Sequence, residues 1–403
     1  MAPEPADAAT ASTLPGRGPR LRLATMRPRD PEEPGRTASP LELFFDLVFV
    51  VAVSIAAVNL HHELTAGHVL DGVLSFAMVF FAIWWAWMNF TWFATSFAVD
   101  DWLYRVLTFV QMSGVLVLAA GIAAAFEERD FRIMIVGYVV MRVAMVAQWL
   151  RAAHRGGELR RTAQRYAIGI AAVQILWLLT PLLPGELFVP VFAVLVLAEL
   201  SVPLIAERAV RTTWHPHHIT ERYGLFTLIL LGESLLASAN AIIEALHSGE
   251  ELAPLISIAV LTVVVTAGLW WVYFWPPHHR AITSFASSLR YGYTHFVVFA
   301  AAGAFSAGIE VEIDVITDHS ELSPTFASFT VTVPIALFML GIWWIAIRQN
   351  ADRLVNVVVP LGALLVLLDP VLPIPFAVTA LIVVAVVAVL VVRAPVGEGA
   401  RDH

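Results

Sequence analysis

Apolar runs long enough to cross a lipid bilayer recur along this 403-residue chain, and no other feature constrains its fold as tightly. The hydrocarbon core of a bilayer is about 30 Å thick, and a helix needs about 20 mostly apolar residues to cross it. A backbone in lipid must satisfy its own N–H and C=O groups, so each such run is expected to be a helix. The runs lie near 41–62, 69–95, 102–125, 131–152, 163–181, 187–206, 219–246, 253–275, 285–308, 325–347, 354–369 and 372–392. Only a Pro-rich turn, Asp369, Pro370, Val371, Leu372, Pro373, separates the last two. The predicted fold is all-α: a polytopic transmembrane bundle of about twelve helices. Charge agrees, because 14% of residues are charged where a soluble chain carries about 25%.

Arginine placement orients the bundle. With the N-terminus inside, only Arg129 and Arg132 fall on the outer side and Arg142 within a span; every other arginine falls inside. This is the positive-inside pattern, and a miscounted helix would invert it downstream. The outer loops are acidic instead, with Glu127, Glu128 and Asp130, then Glu250 and Glu251, then Glu310, Glu312, Asp314, Asp318 and Glu321. Both termini are expected in the cytoplasm. Residues 1–38 hold no apolar run and read as a disordered cytoplasmic tail, and 394–403 as a second tail.

Four local matches, all offset by about 190 residues and in the same order, point to a duplication. Ile83-Trp84-Trp85 answers Leu269-Trp270-Trp271, and Leu118-Ala119-Ala120-Gly121 answers Phe305-Ser306-Ala307-Gly308. Trp149-Leu150-Arg151 answers Trp344-Ile345-Ala346 with Arg348, and Thr180-Pro181-Leu182-Leu183-Pro184 answers Asp369-Pro370-Val371-Leu372-Pro373. The halves are 39–206 and 215–393. Six helices is an even number, so the halves share one orientation, as parallel repeats related by an axis along the membrane normal.

Charges inside spans are costly and mark either paired structure or function. Glu42 and Asp46 stand four apart on one face of the first helix, behind Ser39 as N-cap and Pro40 as its first residue. Asp46 serves either a salt bridge or a cation or proton site. Arg222 and Glu233 are eleven residues apart, within about 20° of one face and roughly 16 Å along the axis. Glu233 lies near the membrane midplane beside Gly232, the depth at which transporters hold solutes. Arg142 is expected to have a buried acidic partner, Glu199 or Asp46. His295 either shuttles protons or bonds a neighbour. Asp101 with Arg105, and Glu221, read as structural charge pairs.

Several chemistries have no residues to carry them. The chain has no cysteine and no lysine, so all 24 basic residues are arginine. Disulfides, thiolate metal sites, a Walker phosphate loop and a Schiff-base lysine are excluded. There is no G-x-S-x-G, and the pairs His61-His62, His217-His218 and His278-His279 lack the spacing of a zincin. No enzyme, metal, cofactor or nucleic-acid role is expected. The expected partners are the bilayer and a small solute or cation, with an oligomer left open.

Glu42-Leu-Phe-Phe-Asp46, Asp100-Asp101-x-x-x-Arg105, Glu221-Arg222-x-Gly224-x-Phe226, Leu231-Gly232-Glu233 and Tyr291-x-x-x-His295 resemble the bacterial low temperature requirement A family, from about residue 38 to 392. The resemblance implies a multi-pass protein of the bacterial plasma membrane and names no substrate. Where that family often has an acid after Tyr-Phe, this chain has Trp275 after Tyr273-Phe274. Phe44-Phe45-Asp46 is also similar to the first-helix signature of six-helix-repeat potassium channels of lysosomes and bacteria, with Pro40 in place of its arginine. The expected function is a secondary transporter of a small solute or ion, with its site near Glu233. A cation channel of the same repeats, or a membrane scaffold or sensor needed in the cold, are the alternatives.

Overall fold

The computed structural model describes residues 23–154, 157–248, 252–372 and 376–396. Among these, ten helices are long and apolar enough to cross a membrane. They are α1 (Pro40–Thr65), α2 (Val69–Ser96), α3 (Trp102–Ala120), α5 (Arg132–His154), α6 (Arg160–Leu179), α7 (Gly185–Ala206), α8 (Pro216–Ser248), α9 (Leu252–Phe274), α10 (Phe285–Ile316) and α11 (Pro324–Ile342). A short α4 (Ile122–Glu127) continues α3, and α12 (Arg353–Val366) and α13 (Ala377–Val392) are apolar but shorter. At 1.5 Å per residue the 14 residues of α12 rise about 21 Å. The 3₁₀ turn Asp369–Val371 lengthens that path before the chain turns back. The chain is an all-α, multi-pass integral membrane protein.

The third predicted span breaks at Gly121 for a packing reason. A Cβ there would lie 2.7 Å from the backbone nitrogen of Met134, so α5 can approach only a glycine. Gly137 on α5 is tighter still, since a Cβ would lie 2.3 Å from the Leu118 nitrogen. Lipid supplies no hydrophobic drive between helices, so close approach of this kind holds α3 on α5. Gly308 repeats the device between α10 and α11, where a Cβ would lie 2.4 Å from the Thr330 carbonyl oxygen. Gly121 and Gly308 each admit the backbone of the next long helix, and Thr180–Leu182 and Asp369–Val371 each form a 3₁₀ turn.

Neighbour relations run in parallel in the two halves. α1 packs on α2 and α3, α3 on α5, α5 on α6 and α6 on α7. α8 packs on α9 and α10, α10 on α11, α11 on α12 and α12 on α13. The halves meet where α1 and α2 lie against α8 and α10. The core sits there: Phe45, Phe49, Trp84, Trp85, Trp87, Tyr223 and Phe299 are almost wholly buried.

The tail expected to be disordered is not so over residues 23–38. Arg27–Pro28 (β1) pairs antiparallel with Phe97–Ala98 (β2), Met26 is buried, and Arg29 N–H donates to the Ser96 carbonyl at 2.9 Å. Partners at the helix ends, which composition cannot reveal, order this segment. Residues 1–22 of the tail, and all of 394–403 beyond Val396, lie outside the described residues. A second difference concerns the last acidic loop. α10 runs on to Ile316, so Glu310, Glu312 and Asp314 stand on helix and not on loop.

Candidate functional site

The seam between α1 and α8 gathers most of the charge buried where the halves meet. On α1 the row Glu42, Asp46, Val50, Ser54, Val58 repeats every four residues and winds slowly around the helix, about 40° per step. On α8 the facing stripe is His218, Arg222, Phe226, Glu233, Ala237, Asn240. The first turn of α1 explains the position of Glu42. Ser39 caps the helix, and Glu42 closes a capping box by accepting the Ser39 N–H at 2.7 Å.

At the arginine-rich end of the seam the carboxylates are paired. Asp46 accepts Arg222 Nε–H at 2.8 Å and the Trp87 indole N–H at 2.6 Å, and a second guanidinium N–H of Arg222 also reaches it. Arg222 Nη1 lies 3.5 Å from Glu42, which also takes Arg36 at 3.0 Å and has His218 Nε2 at 3.1 Å. Two carboxylates thus face two guanidiniums, the arrangement that makes buried charge tolerable. Trp87 stacks on Phe226, ring centroids 4.6 Å apart, and caps this cluster with aromatic surface.

Farther along the seam Glu233 has no such balance. Its carboxylate accepts the Ser54 hydroxyl at 2.5 Å, the side chain is partly exposed, and among the described residues it makes no ion pair. Two clefts approach the seam from opposite ends. One, of about 590 Å³, is walled by Arg29, Arg36, Phe44, Asp100 and Arg105 and reaches Glu42. The other, about 430 Å³, is walled by His61, His62, Asn240, Glu310 and Asp314 and reaches Ala237, one helical turn from Glu233. At its mouth His61 lies between two acids, 2.6 Å from Asp314 and 3.1 Å from Glu310.

The remaining predicted site residues fall elsewhere. Arg142 pairs with Glu199, not Asp46, at 2.5 Å inside the first half. Glu199 also accepts Trp85 at 2.9 Å, Gln174 at 2.9 Å and Tyr138 at 3.0 Å, so every lone pair has a donor. With no acceptor site left for a ligand, this is a structural staple. His295 donates from Nδ1 to the Tyr291 carbonyl at 2.7 Å, leaving Nε2 to accept the Tyr273 hydroxyl at 3.2 Å. It therefore bonds neighbours through both ring nitrogens. The adjoining His278 is wired alike, to the Tyr273 carbonyl at 2.6 Å and the Tyr291 hydroxyl at 3.0 Å. Burial pushes its pKa down to about 4.

Two predicted charge pairs are corrected. Asp101 does not meet Arg105. Asp101 is the N-cap of α3, which turns its carboxylate to the Tyr104 N–H at 3.0 Å, where Arg151 also binds it. Burial raises its pKa, but Arg151 and the N–H groups of Tyr104 and Ala24 outweigh that and hold it low. Arg105 reaches Asp100 instead, at 2.7 and 2.8 Å, and its hydrogen bond lowers the Asp100 pKa. Glu221 makes no ion pair among the described residues; it accepts the Ala38 N–H at 3.0 Å and helps dock the N-terminal segment.

Sequence reasoning left Ser54, Trp87 and the pairing of His61 with Asp314 unremarked. Ser54 was legible in principle, as the polar residue two turns beyond Asp46 in the same row. Trp87 and Asp314 required knowing which helices meet.

The residues 37–392 match the model of the family described as bacterial low temperature requirement A protein (LtrA). A protein of Rhizobium meliloti (strain 1021), "Uncharacterized protein RA0937", is 29% identical over 253 residues, covering 60% of each chain. The chain thus spans about 60% of the length of the curated relative it matches. The family match runs from just before the α1 cap to the end of α13 and includes the α1 and α8 residues of the seam. The chain belongs to the bacterial low temperature requirement A family.

Proposed function

We propose that the chain is a secondary transporter of a small solute or ion that works by alternating access along the α1–α8 seam. The observation that carries this is the pair of clefts. They enter from opposite ends, reach Glu42 and the turn beside Glu233, and share no lining residue; on this reading Asp46, Arg222, Trp87 and Phe226 form the barrier between them. A channel needs one continuous path, whereas a transporter needs two half-paths and a barrier that switches. Matched glycines, matched 3₁₀ turns and parallel neighbour relations support a duplication, which places α1 and α8 as equivalent helices on the axis between two rocking halves. On this reading both termini and the arginine-rich end face the cytoplasm of a bacterial plasma membrane.

The chain contains no cysteine, which makes the test direct. Single cysteines replace Phe44 in one cleft, Ala237 in the other and Val50 between them. Each is challenged with an impermeant maleimide from either side of sealed vesicles. Alternating access predicts that Phe44→Cys and Ala237→Cys change reactivity in opposite senses when a transported solute or a pH gradient is applied. Val50→Cys should become reachable from each side in turn. Reactivities that never change, in vesicles that carry no flux across a panel of ions and metabolites, would favour a scaffold. Simultaneous access to Val50→Cys from both sides would favour a channel.

A further inference from the structure

A third cavity lies apart from the seam, where α2, α5, α6 and α7 of the first half face the start of α10 in the second. Its enclosed volume is about 60 Å³, and it opens to solvent. Its walls are unusually aromatic for a helical interface, with Trp92, Trp149, Tyr166, Trp214 and Tyr293 among them, and one carboxylate, Glu207, stands in the same wall. Trp149 and Tyr166 are stacked, centroids 4.1 Å apart and 7° from parallel, and Trp92 meets Trp214 edge-on at 6.3 Å. The indole N–H of Trp92 is engaged by the Tyr223 hydroxyl at 3.0 Å, and the Tyr293 hydroxyl donates to the Leu200 carbonyl at 3.0 Å. Their polar ends are spent on the protein, so π surface is what they have left to offer.

Glu207 follows the last residue of α7 and is buried. It accepts the Thr212 N–H and the Thr212 hydroxyl, each at 2.8 Å, and the Tyr166 hydroxyl at 2.9 Å. All three donors are neutral. Among the described residues it has no ion-pair partner, unlike Asp46 and Glu199. Arg211 acts on it only through space, with its guanidinium 5.4 Å from the centre of the Phe285 ring, which also lines the cavity. Burial raises the Glu207 pKa and outweighs the lowering by Thr212, Tyr166 and the charge of Arg211.

A buried carboxylate with no cation in direct contact, set among aromatic rings, is complementary to a cation whose own charge is weakly hydrated. Aromatic faces attract such cations through the ring quadrupole, and quaternary ammonium groups are the best fit because they lose little hydration on entering. A metal ion would find one carboxylate and no further anionic ligand, and an anion would meet Glu207. We propose that this cavity binds an organic ammonium group, with Glu207 as counter-ion and Trp92, Trp149, Trp214 and Tyr293 as its aromatic cage. The site stands independently of the seam and of what the seam carries. It opens at the level where helices end, so the ammonium arrives either on a free solute or on a lipid headgroup.

The test uses the full chain purified in a neutral detergent and titrated with tetramethylammonium chloride, read by calorimetry and by tryptophan fluorescence, against sodium chloride at equal ionic strength. Saturable binding of tetramethylammonium and none of sodium is expected, with affinity falling at least tenfold in Glu207→Gln. Trp214→Leu, at a partly exposed position on the linker, should lower affinity as well and serves if Glu207→Gln does not fold. Repeating the titration in discs of choline-headgroup lipid and of glycerol-headgroup lipid separates the sources. Binding suppressed only by choline lipid supports a headgroup site, and equal binding in both supports a free solute. No saturable binding, or binding unchanged in both variants, overturns the proposal.

Discussion

The Arg142–Glu199 staple makes a quantitative claim about stability, because both charges are buried and Glu199 has a donor on every lone pair. Arg142→Met leaves the carboxylate with three neutral donors and no counter-charge. Glu199→Gln leaves the guanidinium facing an amide. Breaking a buried pair from one side costs about 3 to 5 kcal/mol. In a bilayer the lower end applies, because interhelical hydrogen bonds there average only about 0.6 kcal/mol, the unfolded chain finding other partners in lipid. Each single change should therefore cost about 3 kcal/mol. The double variant buries no charge and keeps the neutral bonds from Trp85 and Tyr138, so it should also cost about 3 kcal/mol in place of the additive 6. The cycle thus predicts a coupling of about 3 kcal/mol, near the upper limit for contacting residues. Reversible unfolding in mixed micelles measures it. Additive single costs would show that the two charges do not stabilise one another, and the staple reading would fall. The double variant should also keep whatever flux the parent has, since neither residue touches the seam.

Three shorter predictions follow from the fold. Gly137→Leu should prevent the α3–α5 contact and sharply reduce the yield of folded protein, because a Cβ alone would sit 2.3 Å from backbone; size-exclusion profiles of the two proteins decide it. His278 is neutral in the fold, with its pKa near 4 against an ordinary value of 6.5. The unfolded chain therefore binds the extra proton between those values, and stability should be full above pH 6.5 and fall by about 3 kcal/mol towards pH 4. His278→Gln should flatten that part of the melting curve, and an unchanged slope would remove His278 as its cause. Reporter fusions after Leu183 and Asp318 should read outside, and after Gly157 and Arg211 inside; a single reversal breaks the proposed orientation.

How much of this was legible in the sequence depends on the range of the interaction. Helix positions follow from apolar runs, which are local, and the capping of α1 by Ser39 and Glu42 follows from four consecutive residues. The sharing of one α8 face by Arg222 and Glu233 was also local, and both do turn toward α1. What could not be read was which helix supplies the other half of a contact. Arg142 had two possible acids, and only the packing of α5 on α7 selects Glu199. Asp101 and Arg105 have helical spacing, yet the N-cap role redirects Asp101, because backbone N–H groups with no other acceptor lie nearer than the next turn. The docked segment 23–38 has no pattern of its own; its order comes from Ser96, Asp101 and Glu221, far away in sequence.

Glu233 separates the transport reading from a purely structural one. The usual reason to keep an acid deep in a membrane helix is a buried counter-charge: Asp46 has Arg222, and Glu199 has Arg142. Glu233 has only the Ser54 hydroxyl and is partly exposed, one turn from the floor of a cleft. Glu233→Gln keeps the shape and the bond from Ser54 and strands no opposite charge. Its cost in stability should therefore stay within about 1 kcal/mol, far below that of either staple variant. On the transport reading the same change removes the group that exchanges a proton or holds a cation, so flux should fall at least tenfold and lose its dependence on pH. Ser54→Ala, which loses one neutral hydrogen bond, should shift that pH dependence without abolishing flux. A Glu233→Gln protein as destabilised as Glu199→Gln would mean that the carboxylate has a structural partner after all. One that is stable and transports at the parent rate would take the solute path away from this part of the seam.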